Sequence, residues 1–233
     1  MKSGLFALVL TIFSFSLQAQ AVIQAEDIMK TLKKGEKVAY TDVVVEGVLD
    51  LTFMEEKIDD LPKRRWWKNG GDNTVTEVIV PSISFKNVTF RDEVIAYFHD
   101  KRSEYTFIAD FESEVLFENC LFQKDAMFKY SNFEAKASFS GSTFERESTF
   151  KYAEFEDGAD FSNTYFDEDA VFKYTKFYRG ASFQSAKFDR SLDMKYTKVD
   201  GDFNVNDLEV RWDIISKYAK VNGRSFTRYL LDN

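Results

Sequence analysis

The sequence predicts an all-β solenoid of four-sided coils, and three observations lead there. From Phe117 to Val199 a large apolar residue recurs at alternating steps of five and six, through Phe117, Phe122, Phe128, Phe133, Phe139, Phe144 and onward to Phe188, Met194 and Val199. The residue two positions before each is almost always small, as at Cys120, Ala126, Ser131, Ala137, Ser142 and Ala153. A longer period of 22 lies over the short one, with Phe-Lys-Tyr at Phe128, Phe150 and Phe172 and Met-Lys-Tyr at Met194.

A spacing of two puts both side chains on one face of extended backbone, so each short segment points one large and one small group inward. One such segment cannot bury a phenyl ring, but identical segments stacked on one another can. The small residue leaves room for the neighbouring ring, so the interior fills without voids. A period of 22 built from two fives and two sixes makes four sides, with the extra residues at corners. Gly158, Gly180 and Gly201 fall there, where a positive φ is open to glycine. A helical reading fails, because steps of five and six drift around a 3.6-residue turn.

These residues resemble the pentapeptide-repeat proteins, in which a central Leu or Phe and a small residue two before it both point inward. Ala137-Ser138-Phe139, Ala159-Asp160-Phe161 and Ala181-Ser182-Phe183 carry the likeness. The resemblance implies a right-handed four-sided β-helix. The chain departs from the family in a centre that is nearly always Phe and in steps that alternate instead of staying at five.

Met1 to Ala21 has the pattern of a secretory signal peptide, with Lys2, an apolar run from Leu5 to Leu17, and Ala19-Gln20-Ala21 for cleavage. The run is shorter than the ~20 residues that a membrane span needs, and no Cys follows it to take a lipid. Residues 22–41 read as an N-terminal helical cap, with Ile28, Met29 and Leu32 on one face of a helix over 25–34 and Gly35 as its stop. Residues 42–206 read as the solenoid, with an insertion at 54–75 and an irregular stretch at 91–106. Residues 207–233 read as a C-terminal cap, as either a strand pair or a helix.

The chain offers little to an enzyme. It has one His and one Cys, so any His-based catalytic group must use His99, which stands in no motif. Cys120 occupies an inward small slot and reads as a buried, inert thiol. One cysteine forms no disulfide within the chain and builds no zinc cluster. The expectation is no catalytic residue, no metal and no cofactor. A formal charge of −8 argues against nucleic-acid binding, which wants a basic face.

Three surface features remain as candidate binding residues. Lys129, Lys151, Lys173 and Lys195 stack in one column, with Tyr130, Tyr152, Tyr174 and Tyr196 beside them. This reads either as a strip for a polymer or sugar or as a stabilising aromatic ladder packed edge to face, and the second reading is preferred. Glu145, Asp167 and Asp189, with Glu147 and Asp169, form an acidic column. It reads as a solvated face rather than a Ca²⁺ site, because no liganding loop accompanies it. Trp66 and Trp67, beside Arg64 and Arg65, read equally as a partner site or as a cover for the side of the coil.

The expected function is a secreted or periplasmic, non-enzymatic scaffold or binding module, of bacterial origin, presenting flat faces to a protein or cell-envelope partner. The alternative is a DNA-mimicking member of the family that acts on a topoisomerase. The acidity suits that alternative, and the leader argues against it.

Overall fold

The structure is a computed structural model and describes residues 20–62 and 73–232. The leader up to residue 19, and Arg64, Arg65, Trp66 and Trp67, lie outside the described residues. Among those described, the strands form four parallel sheets, two of seven strands, one of eight and one of nine. The chain visits the four in turn, and each strand pairs with the one a coil later. Ala126 thus pairs with Ser148, Phe133 with Phe155, Ala137 with Ala159 and Phe144 with Phe166, all in parallel register at 22 residues. Most of these strands are two residues long, because the chain must turn a corner after every inward pair.

The rings stack as the spacing predicts. Phe122, Phe144, Phe166 and Phe188 are co-facial at 4.6–4.8 Å. Phe111, Phe133, Phe155 and Phe177 form a second column at 4.6–5.0 Å. Phe139 and Phe161 belong to a third and Phe150 and Phe172 to a fourth, and these two meet edge to face across the centre, as at Phe161 and Phe172 (5.1 Å, 88°). Burying each ring contributes roughly 1.5–3 kcal/mol, and edge-to-face geometry between columns adds to it. The small slot also serves the backbone. Ser142, Thr175 and Thr197 are buried there and donate to the carbonyls of Phe117, Phe150 and Phe172, at 2.6–2.8 Å.

Corners need positive φ. One corner uses Asn119, Gly141, Asn163, Ser185 and Asp207, and another uses Tyr130, Tyr152, Tyr174, Tyr196 and Tyr218. At a third corner Gly180 has φ +90°, and a Cβ added there would collide with the carbonyl of Asp202.

The helix α1, Ala25–Lys33, lays Ala25, Ile28 and Leu32 on the first coil, and Gly35 follows it with φ +74°. The solenoid extends beyond its expected bounds at both ends. Ala21–Gln24 pairs with Val43–Glu46, and Val38–Thr41 pairs with Ile83–Lys86, so both ends of the stretch read as a helical cap are sheet and α1 lies between them. At the other end Glu209–Val210, Ile214–Ile215 and Lys220–Val221 complete a further coil inside the stretch read as a cap. Only then does Arg224–Ser225 fold back, before helix α2, Phe226–Asp232.

Residues 91–106 are also more regular than expected. Val94–Ile95 pairs with both Leu49–Asp50 and Ala126–Met127. The true departure is a hairpin in which Tyr97–His99 runs antiparallel to Thr106–Phe111. Both differences have one cause. In Val94/Ala96 and in Phe203/Val205, Leu208/Val210 and Ile214/Ser216, the larger residue sits in the slot read as small and the smaller in the slot read as large. Swapping the two within a pair conserves volume and hides the pattern.

Candidate functional site

The corner that carries the tyrosines is built from a recurring hexapeptide: Phe128-Lys129-Tyr130-Ser131-Asn132-Phe133, Phe150-Lys151-Tyr152-Ala153-Glu154-Phe155, Phe172-Lys173-Tyr174-Thr175-Lys176-Phe177, Met194-Lys195-Tyr196-Thr197-Lys198-Val199 and Ser216-Lys217-Tyr218-Ala219-Lys220-Val221. Inward residues at both ends anchor the turn. The tyrosine takes φ of 61–66° in all five coils. Left-handed backbone in a residue with a Cβ is unfavourable by roughly 1–2 kcal/mol.

Stacking offsets that strain. Tyr130, Tyr152, Tyr174 and Tyr196 are parallel within 6°, with centroids 4.5–4.8 Å apart, and Tyr218 follows at 5.0 Å. The edge-to-face packing expected from the sequence does not occur here. Strands set the rise at ~4.8 Å, and identical side chains on identical backbone can only lie parallel. Tyr97, from the hairpin, continues the column at 5.8 Å. Ring faces are therefore covered by neighbouring rings. Tyr130 and Tyr196 still expose 42% and 38% of their surface, so along the inner column what faces water is rim and hydroxyl, and Tyr218, which ends the column, exposes 60%.

The lysines lie along this column. Lys129, Lys151, Lys173 and Lys217 each place Nζ 4.8–5.3 Å from the ring of the tyrosine that follows. Lys129 also donates to the Tyr97 hydroxyl at 3.0 Å. Burial first, and then the ammonium groups of Lys129 and Lys173, hold Lys151 below the ordinary lysine range against an opposing pull from Asp193. Unit charges one coil apart repel by about 0.9 kcal/mol even in bulk water.

On the other faces cations are paired from coil to coil: Arg146 with Glu168, Arg179 with Asp157, Lys187 with Glu209 and Arg211 with Asp189, at 2.8–3.3 Å. In the column flanking the tyrosines Lys176 meets Glu154 at 2.6 Å. Burial pushes the Glu154 carboxyl up, but hydrogen bonds from Lys176 and Tyr178 more than offset it and leave it below its usual range. Among the described residues, no carboxylate forms an ion pair with Lys129, Lys151, Lys173, Lys195 or Lys217.

The other sequence candidates carry less. The acidic corner is partly neutralised, since Asp189 pairs with Arg211, and Asp169 accepts the Ser191 N–H at 3.0 Å. Among the described residues no group of three or more His, Cys, Asp or Glu is placed to hold a metal ion. His99 is exposed, and among the described residues its ring meets Thr106 Oγ1 at 3.0 Å. Cys120 is buried, and burial pushes its thiol up to about 12. A cleft of about 560 Å³ beside α1 is lined by Met29, Phe53 and Phe98 with Glu26, Glu46 and Glu55, and it brings together no nucleophile with a base. Both departures from the coil, after Phe53 and at Tyr97, leave from the tyrosine corner, and the Tyr105 hydroxyl donates to the Pro62 carbonyl between them. No helix among the described residues is long and apolar enough to cross a membrane.

A family model described as pentapeptide repeats matches the chain in nine copies, with residues 128–176 and 150–198 matched. Proteins of this kind are generally structural or binding proteins rather than enzymes. Comparison with curated proteins and with solved structures gave no match. With inward Phe and small residues in four parallel sheets at a 22-residue register, and with that match over residues 128–198, the central coils of this chain are pentapeptide repeats.

Proposed function

We propose that this protein is a secreted or periplasmic, non-enzymatic binding module that holds a cell-envelope component along its tyrosine–lysine corner. The observation that carries the reading is the lysine column without carboxylate partners on a chain of net charge −8. Elsewhere Arg146, Arg179, Lys187 and Arg211 each meet a carboxylate one coil away. Lys86, Lys136 and Arg190, which have no ion pair among the described residues, do not stack in a column of like charge. Lys129, Lys151, Lys173 and Lys217 each gain roughly 0.5–1 kcal/mol from the ring beside them. Repulsion between neighbours takes away a similar amount in water. Stability alone therefore does not call for five like charges in line, whereas a partner of opposite charge removes their repulsion. The leader pattern of residues 1–21 supports export. The DNA-mimicking alternative is less well supported, because Arg146 and Arg211 interrupt the acidic corner with ion pairs.

The test is fractionation of cells producing the protein, followed by binding of the purified protein to isolated envelopes. The expected result is export and envelope retention, with retention lost in the Lys151→Glu, Lys173→Glu, Lys195→Glu triple variant. Cytoplasmic localisation, or undiminished retention of the variant, would defeat the proposal.

A further inference from the structure

We infer that the ligand of this corner is a linear acidic polysaccharide, a hexuronan carrying one carboxylate per sugar, laid parallel to the coil axis. The inference rests on the reading of the corner as the partner-facing surface. Three consecutive coils repeat Lys-Tyr-x-Lys, at Lys173–Lys176, Lys195–Lys198 and Lys217–Lys220. The corner therefore presents a second lysine column on the far side of the tyrosines, with Lys198 and Lys220 exposed. A chain lying on the tyrosine rims meets phenol hydroxyls along its length and ammonium groups on both sides over the last two coils, while further back the far column holds Asn132 and the Glu154–Lys176 pair.

Spacing and ring geometry select the ligand class. The tyrosines advance by 4.5–5.0 Å per coil, which is close to the advance of a 1→4-linked sugar per ring. In a two-fold uronan the carboxylates alternate sides, so along this corner one meets a ladder lysine at every second coil and the next faces the far column. Extended acidic peptide repeats its side chains on one face every ~6.8 Å, and duplex DNA places phosphates roughly every 3.4 Å along each strand. Both fall out of step within a few coils. Single-stranded nucleic acid relies on stacking its bases on aromatic faces, and neutral sugars also pack on such faces. Here each inner ring has a neighbouring ring on both faces. What remains accessible suits a polyanion recognised by charge and hydroxyl hydrogen bonds.

The experiment titrates the purified full chain with polygalacturonate at low ionic strength, read by calorimetry. Fully methyl-esterified polymer is the neutral control, and poly-glutamate and single-stranded DNA stand for the other polyanions. Two variants change the ladder at Lys151, Lys173 and Lys195, one to Glu and one to Gln, the second removing charge without adding repulsion. The control variant is Lys34→Glu, Lys86→Glu, Lys136→Glu, at exposed positions on other faces. Far-UV circular dichroism confirms that all are folded.

The expected result is binding of polygalacturonate that weakens about tenfold or more in both ladder variants, less than about threefold in the control, and progressively with salt. The esterified polymer should not bind. Absence of binding by wild type, equal binding of the esterified polymer, equal affinity in the ladder and control variants, or tighter binding of poly-glutamate or DNA would each overturn the inference. If envelope retention still depends on the ladder lysines, the corner remains the binding surface and only the polysaccharide assignment falls.

Discussion

Substituting Tyr174 separates the strain at the corner from the stacking that holds it. Tyr174 has φ +64° and lies between Tyr152 at 4.7 Å and Tyr196 at 4.5 Å. Tyr174→Phe keeps both stacks and the backbone and should change stability by less than about 0.5 kcal/mol. Tyr174→Ala removes two ring contacts of roughly 0.5–1.5 kcal/mol each while keeping a Cβ in left-handed backbone. Its expected loss is ~1–3 kcal/mol. Tyr174→Gly loses the same contacts but relaxes the backbone, which returns about 1 kcal/mol. Stability should therefore fall in the order Phe, Gly, Ala. This is the reverse of the order at a site with ordinary φ, where Ala is more stable than Gly. Urea unfolding followed by near-ultraviolet circular dichroism reads the order directly. A Tyr174→Ala protein as stable as Tyr174→Gly, or more so, would show that the corner carries no such strain. Wild-type stability in both would show that the ladder contributes nothing.

Three further outcomes follow from the core and its edges. Phe150 is fully buried between Phe128 and Phe172, so Phe150→Ala should lose about 3–5 kcal/mol in urea unfolding and Phe150→Leu far less. A loss below about 1 kcal/mol for Ala would mean that the coil collapses around the gap. Burial first, opposed by the Asn132 N–H and aided by Glu134, holds the Asp110 carboxyl above its usual 3.8. A raised carboxyl favours the folded state below its unfolded pKa, and that stability is lost as pH rises through the folded value. Asp110→Asn keeps an acceptor for Asn132 and should raise the melting temperature at pH 7, with the gain vanishing below pH 3.8; an equal gain at both pH values would contradict the assignment. Cys120, 2% exposed with its thiol pushed up to about 12, should resist a thiol reagent at pH 8 until denaturant is added, and rapid labelling of the native protein would disprove its burial.

Much of the architecture was legible because the inward residues obey a geometric period. Phe122, Phe144, Phe166 and Phe188 must share a column if the coil is 22 residues long, and they do. The strand within 91–106 and the coil within 207–221 were not legible, because Val94/Ala96 and Ile214/Ser216 reverse the small-then-large order of the regular coils. Volume, and not order, is what the interior requires. The lysine and tyrosine columns were legible from the same period. Their face-to-face stacking was not, because a tyrosine's φ is a property of the corner and not of the residue. The pairing that distinguishes the lysine column was hidden for another reason: Arg179 meets Asp157, and Arg211 meets Asp189, across 22 residues of chain. Trp66, Trp67, Arg64 and Arg65 remain a sequence expectation, since they lie outside the described residues.

The two positive-φ columns of the coil solve the same turn with different residues. One is occupied by Asn119, Gly141, Asn163, Ser185 and Asp207, small residues that take left-handed backbone readily or close it with a short polar side chain. If a turn were all that the other corner required, the same residues would serve. It holds tyrosine five times instead, and stacking accounts for that, because five rings in register offset the strain of their own backbone. Stacking does not account for the lysines. A neutral residue before each tyrosine would lose roughly 0.5–1 kcal/mol of cation–π attraction together with about 0.9 kcal/mol of repulsion. A carboxylate in alternate coils would stabilise the column, as ion pairs do on the neighbouring faces. The lysine column is thus a feature that the stability of this corner does not require. It therefore points to something outside the chain that carries the opposite charge.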